Sequence, residues 1–428
     1  MDVQIFEEIE ADVRSYCRSF PTVFHKANNA TLIDTNDRQY VDLLAGAGAL
    51  NYGHNPPAIR QAVVDYMLSD GVSHALDMYT VAKSDFLTAF QRTILQPRSL
   101  EYKVTFPGPT GTNAVETAFK YARKATGRQN IVAFTNAFHG MTLGALAASA
   151  NNGKRAGGGV ALSHVTRAPY DGYMGDVDTA DYLDKLLTDP GSGVDAPAAI
   201  IVETVQAEGG LNVASASWLR AIADIAKRHG ALLIIDDIQT GCGRTGTFFS
   251  FENMGIQPDM VCLSKSIGGM GLPMSLLLLR PHLDVLKPGE HNGTFRGNNL
   301  AFVAARAALE FWDDANFAAS IATKSKVVIE CLADVAQRYS SEGAHVRGRG
   351  LMLGLGWDDP TIAGEISKAA FENGVIAETT GAQDQVLKLL PPLTISDEEL
   401  QTGLGGLVSA IDFVMAARGS GSTLQAAE

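Results

Sequence analysis

The chain has 428 residues, 46% apolar and only 19% charged, with a net charge of −13. It can bury a large core, and its acidity argues against nucleic-acid or anionic-membrane partners. Four scattered cysteines without a C-x-x-C pair, and nine histidines without ligand spacing, argue against a disulfide framework or a metal site and fit a reducing cytoplasm.

The first residues, "MDVQIFEEIEADVRSYCRSF", are acidic and amphipathic, unlike a signal peptide. No apolar run approaches the roughly 18 residues of a membrane helix. From about residue 76 helical and strand patterns alternate. "DMYTVAKSDFLTAFQRTIL" has helical period and "YKVTFPG" is a short strand. "GTNAVETAFKYARKATG" is a helix stopped by Gly127, and "NIVAFTNAFHG" is a strand running into a loop. There follow the strand "AAIIVETVQ", the helix "ASWLRAIADIAKRHG" ending in Gly230, and the strands "ALLIID", "DMVCLSK" and "SLLLLR". These strands are continuous apolar runs, the pattern of a sheet covered on both faces. The alternation implies an α/β fold with a mostly parallel sheet.

After about residue 298 two helical segments, "NLAFVAARAALEFW" and "ATKSKVVIECLADVAQRY", lead into "HVRGRGLMLGLGW", "TIAGEISKAAFENG", "VIAETT" and "QVLKLLPPLT". A last helix starts at Ser396, with Glu399 completing a capping box. This part reads as a smaller α+β domain, and the polar tail as disordered.

"LLIIDDIQTGCGRTG" contains a literal G-x-G-x-x-G, from Gly241 to Gly246. A dinucleotide fingerprint needs its glycines directly after the strand and a helix directly behind them. Here "DDIQT" intervenes, and "TFFSFENMGIQPD" is a poor crossover helix. A turn explains the glycines better, and an NAD-dependent dehydrogenase is the weaker alternative. Asp236, by contrast, stands at the carboxyl end of an apolar strand, where open α/β sheets bind ligands. Lys265 follows at the end of the next strand, ahead of a glycine-rich loop. A plain ion pair would account for both. The other reading is a cofactor whose ring nitrogen faces Asp236 and whose aldehyde is held by Lys265. The strand–turn–helix "FPGPTGTNAVETAFKYAR" adds an anion site at a helix start, with Gly111 permitting close approach and Thr112 supplying a hydroxyl.

With "GAGALNYGHNPP", "FHG", "VETVQAEGG", "LSKSIGG" and "NGTFRGN" in the same order, the chain resembles the class III (ornithine/GABA-type) aminotransferases over roughly residues 5–415. The resemblance implies fold-type I architecture with pyridoxal 5'-phosphate as cofactor. It implies a small domain from residues 1–58 and 308–417, a large cofactor domain from 59–307, and a disordered tail at 418–428. Lys265 then corresponds to the cofactor-carrying lysine and proton shuttle, and Asp236 to the partner of the ring nitrogen. Gly111 and Thr112 correspond to the phosphate site, Phe138 and Ile238 to the residues on the two ring faces, and Gln239 to the neighbour of the phenolic oxygen. His139 and Glu203 join the same cofactor set. Thr294 matches a residue that reaches the phosphate of a neighbouring subunit, which implies a homodimer or higher oligomer with shared sites.

Glu208 and Lys388 correspond to the substrate-binding acid and cation, with Lys388 where the family commonly has Arg. Met141 also replaces an Arg common in ornithine and GABA enzymes. The wording of "RSYCRSFPTVFHKA", "YDGYMG" and "NGTFRGNNLAF" is similar to diaminobutyrate–2-oxoglutarate aminotransferases of ectoine biosynthesis. The implied reaction moves the amino group of L-glutamate to L-aspartate 4-semialdehyde, giving L-2,4-diaminobutyrate and 2-oxoglutarate. A class III enzyme for another amino aldehyde or omega-amino acid, or one supplying diaminobutyrate to a siderophore or peptide antibiotic, is the alternative.

Overall fold

Three short strands, β1 (Phe24–Asn28), β2 (Thr31–Asp34) and β3 (Gln39–Asp42), form an antiparallel meander near the start of the chain. The sequence reading had not separated them, because each is too short and too exposed to show a clear period. A computed structural model describes residues 3–419.

The large sheet takes β4 (Lys103–Thr105), β5 (Asn130–Phe134), β6 (Val165–Ala168) and β7 (Pro197–Val202). A small hairpin, β8 (Val205–Gln206) with β9 (Asn212–Val213), follows. The sheet then resumes with β10 (Leu232–Asp236), β11 (Met260–Leu263) and β12 (Leu276–Leu279), in the order β4-β12-β11-β10-β7-β5-β6. β10 runs parallel to both β7 and β11, and only β12 is antiparallel to its neighbours. Every residue of β5, β7, β11 and β12 is buried, which is why these strands carry no polar alternation.

A second sheet near the C-terminus contains β13 (His345–Arg349) and β14 (Met352–Gly356). "VIAETT", expected as one strand, is split. β15 (Val375–Ile376) pairs in parallel with β3, whereas β16 (Glu378–Thr380) pairs with β17 (Val386–Leu389). The backbone reason lies in the N-terminal meander, whose Val41 and Leu43 N–H groups donate to Gly374 and Ile376 carbonyls. Residues from both ends of the chain, such as Leu43, Tyr52, Val375 and Leu407, share one buried cluster.

Helix boundaries follow the caps. The helix Gly111–Thr126 ends at Gly127, which takes φ +70°, as the sequence suggested. The helix expected from Asp77 starts instead at Val81, because the Thr80 hydroxyl accepts from the Lys83 N–H. The helix expected from Ala322 begins earlier, within Ala315–Arg338, capped by Asp314. The last helix, Asp397–Gly419, has its capping box: Glu399 N–H donates to Ser396 Oγ and Ser396 N–H to the Glu399 carboxylate. Arg418 and Gly419, assigned to the tail from sequence, belong to this helix; the rest of that tail, 420–428, lies outside the described residues.

Candidate active site

Two adjacent parallel strands deliver the charged pair. β10 ends on Asp236, which is 4% exposed, and its register partner on β11 is Cys262. Lys265 lies three residues farther along, in a short turn with φ +55°. A left-handed backbone costs an L-residue roughly 1–2 kcal/mol, so the rest of the fold must impose it. The lysine Nζ donates to the Ala47 carbonyl at 2.9 Å. Ala47 sits in a run from Ala45 to Gly48 whose φ values are all positive. Gln239 Nε2 also donates to Ala47 O, at 2.8 Å. The N-terminal segment therefore closes over the lysine. Ala47 acts here through its backbone carbonyl, and the small-residue density of "GAGALNYGHNPP" was the one signal of it in the sequence.

Nine of the ten residues expected to hold the cofactor line one cavity of about 170 Å³: Gly111, Thr112, Phe138, His139, Glu203, Asp236, Ile238, Gln239 and Lys265. Glu208 lines it too. Thr294, the tenth, is exposed on its own chain and outside this cavity. Lys388 is also outside it, fully buried behind Glu208, to which it is paired at 2.8 Å.

At one end of the cavity Asp236 is held from two sides. His139 Nδ1 lies 2.7 Å from Oδ2, and the Ile238 N–H donates to Oδ1 at 3.2 Å. The helix Gly111–Thr126 begins on the wall of the same cavity, and its first N–H groups have no intrahelical acceptor. A Cβ on Gly111 would come within 3.0 Å of Ile238, so the close approach at this helix start depends on glycine. Two buried polar atoms on lining residues, His139 Nε2 and Gln239 Oε1, have no hydrogen-bond partner. Each such atom costs about 1–3 kcal/mol, which a polar guest would relieve. A carboxylate, an amine and an anion-binding helix start around one small cavity fit a phosphorylated pyridine aldehyde.

Burial pushes the Lys265 amine down to about 8, with the Glu208 charge opposing. A free lysine titrates near 10.4. In protein stripped of cofactor, labelling of Lys265 by an amine-directed electrophile is therefore expected to rise with pH around a midpoint near 8, read by mass spectrometry; a midpoint above 10 contradicts the burial argument. Burial and the Asp236 charge raise Glu203 well above the usual carboxylate range. Glu208 goes the other way, down to about 2: burial opposes its charge, but Lys388 and Lys265 outweigh burial. Lys388 is itself raised above the usual lysine value by Glu378 and Glu208, against its burial. Glu378 was not singled out from sequence, because nothing in "VIAETT" marks a strand-borne acid as special.

The mostly parallel sheet, with this site at its strand ends, defines a fold-type I pyridoxal-phosphate transferase. The chain belongs to the class III aminotransferases, whose family model matches residues 14–411. It is 55% identical to a diaminobutyrate–2-oxoglutarate transaminase of Nocardia farcinica, covering 96% of this chain and 95% of that one. Its identity to the same-named enzyme of Halalkalibacterium halodurans is 53%, over 96% of each chain. Among solved structures, the ornithine aminotransferase of Toxoplasma gondii superposes with a TM-score of 0.83 at 26% identity, covering 97% of this chain and 95% of that chain. The N-acetylornithine aminotransferase of Stenotrophomonas maltophilia superposes with a TM-score of 0.76 at 27% identity, covering 97% and 100%.

Proposed function

We propose that this aminotransferase uses pyridoxal 5'-phosphate to move an amino group between L-glutamate and L-aspartate 4-semialdehyde, forming L-2,4-diaminobutyrate and 2-oxoglutarate. The observation that carries the transferase chemistry is the single cavity holding Lys265, Asp236 and the start of the helix at Gly111. The named relatives at 53–55% identity support the substrate pair.

Lys265 would carry the cofactor, Asp236 would face its ring nitrogen, and Gly111 and Thr112 would hold its phosphate. Phe138 and Ile238 would pack on its faces, with Gln239 near the phenolic oxygen. The bound group supplies the electron sink. The chain supplies orientation and protons. An amine poised near neutrality takes and returns a proton better than an ordinary lysine does. His139 fixes the direction of the Asp236 carboxylate, and Glu203 accepts the Phe138 N–H at 3.0 Å, steadying the loop that carries the aromatic ring. Glu208 forms part of the substrate wall, and Lys388 acts through it.

We place the enzyme in the cytoplasm, as a homodimer in which Thr294 completes the phosphate site of a second copy. The exposed apolar side chain of Phe295, next to Thr294, supports an interface there. We retain the division into a small domain from both chain ends (1–58 and 308–417) and a large domain between them (59–307); the pairing of β15 with β3 supports it. Ectoine synthesis is the pathway this product would feed. The test is a panel of amino donors with 2-oxoglutarate as acceptor. Diaminobutyrate is expected to have the highest kcat/KM; a higher value for ornithine or 4-aminobutyrate overturns the assignment.

A further inference from the structure

Beyond the inner cavity lies a second hollow of about 590 Å³, and Phe138 and Glu208 line both. Its walls carry opposite charges.

On one side stands Glu208. Its counter-ion, Lys388, has no exposed surface and lies between two carboxylates, Glu208 at 2.8 Å and Glu378 at 2.9 Å. The second contact follows from register, since Glu378 on β16 is the cross-strand partner of Lys388 on β17. One ammonium and two carboxylates leave the cluster with a net charge of −1. A lysine shared in this way is already matched by two carboxylates, and Glu208 stays ionised under the charges of Lys388, Lys265 and, across the hollow, Lys154.

On the other side stands Lys154. Its Nζ sits 4.4 Å from the centre of the Phe138 ring. Among the described residues it has no carboxylate within ion-pair distance. Arg167 lines the same hollow, and its Nε is buried without a hydrogen-bond partner. Met141, standing where related enzymes commonly place an arginine, supplies no charge, so the cations of this outer wall are the ones available.

A guest with an ammonium and a carboxylate on one carbon matches both walls at once, whereas a simple amine or a simple acid matches only one. We propose that this hollow receives the amino-acid end of the substrate, with Lys154 holding its carboxylate and Glu208 its ammonium, while Glu378 keeps Lys388 occupied. The inference rests on the diaminobutyrate reading, in which the 4-amino group is exchanged at Lys265, and adds which residues hold the other end. Glutamate, whose far end is a carboxylate alone, engages Lys154 only.

The experiment compares three amino donors in single half-reactions of the holoenzyme, followed by cofactor absorbance with no acceptor present. 2,4-Diaminobutyrate has both groups, 1,3-diaminopropane lacks the carboxylate and 4-aminobutyrate lacks the second ammonium. In Lys154→Met the preference for diaminobutyrate over 1,3-diaminopropane is expected to fall about tenfold or more, the scale of one charged hydrogen bond, and Lys154→Arg is expected to restore much of it. In Glu378→Gln the preference for diaminobutyrate over 4-aminobutyrate is expected to fall, because Lys388 then claims Glu208 alone. Preferences are read within one protein preparation, so an equal loss for all three donors leaves them unchanged and overturns the assignment. An unchanged preference in Lys154→Met overturns it as well. If the wild type does not turn over diaminobutyrate, the substrate reading fails on its own. The preference for 4-aminobutyrate over 1,3-diaminopropane, expected to fall in Lys154→Met, then still decides the role of Lys154.

Discussion

Lys265→Ala is expected to lower transamination by at least about 10⁴-fold, the upper end of what a positioned acid–base group contributes, while the protein stays folded. The side chain is the one amine lining the inner cavity, and its single hydrogen bond is to the Ala47 carbonyl. Removing it leaves the Ala47 carbonyl still paired with Gln239 Nε2, so the cost stays below the ~1–3 kcal/mol of an unsatisfied group. Removing a buried amine that burial already disfavours as a cation offsets part of that cost. The measurement is steady-state activity beside thermal unfolding of the same preparation. Retained activity within tenfold of wild type would remove Lys265 from the chemistry. A collapsed melting transition would instead make the residue structural, and the left-handed backbone at this position makes that a real contrast to test.

The parts of the fold that were legible in the sequence are those where one physical requirement dominates. The inner strands of the large sheet are buried on both faces, so β7 and β11 read as plain apolar runs. Gly127 and the Ser396–Glu399 box mark helix ends, because caps need particular side chains. The inner cavity was legible for a related reason: Asp236 and Lys265 are charged residues following apolar strands, and a helix start binds anions whatever surrounds it. What stayed hidden depends on contacts between distant segments. Splitting Val375–Ile376 from Glu378–Thr380 requires knowing that β3 lies alongside. The second partner of Lys388 follows from β16–β17 register, which no local pattern encodes. Ala47 acts through its backbone carbonyl, and a carbonyl has no signature in the one-letter sequence.

Arg244→Met is expected to destabilise the protein by roughly 3–5 kcal/mol, because three buried acceptors lose their donor at about 1–3 kcal/mol each. Arg244 is the middle of "GCGRTG", and its place in the fold shows what that glycine motif does. Cys242 and Gly243 take φ +52° and +93°, and a Cβ on Gly243 would come within 2.9 Å of both Trp312 and Leu393. The stretch is a turn packed against later parts of the chain. The arginine side chain has no exposed surface and donates to Leu351 O at 3.1 Å, to Pro391 O at 2.5 Å and to Asn51 Oδ1 at 2.5 Å. These acceptors come from the N-terminal segment and from two C-terminal loops. Asn51 in turn donates from its side chain to Cys242 O and from its backbone N–H to Ser266 Oγ, one residue beyond Lys265. Methionine fills similar volume but satisfies none of the three acceptors. Arg244→Lys keeps the charge but not the planar fork, so it is expected to fall between wild type and Arg244→Met. Chemical denaturation of the three proteins checks the order. Equal midpoints would mean that water or rearranged backbone replaces the guanidinium. A loss in the expected range would show that the glycines hold an arginine that ties both ends of the chain to the active-site turn.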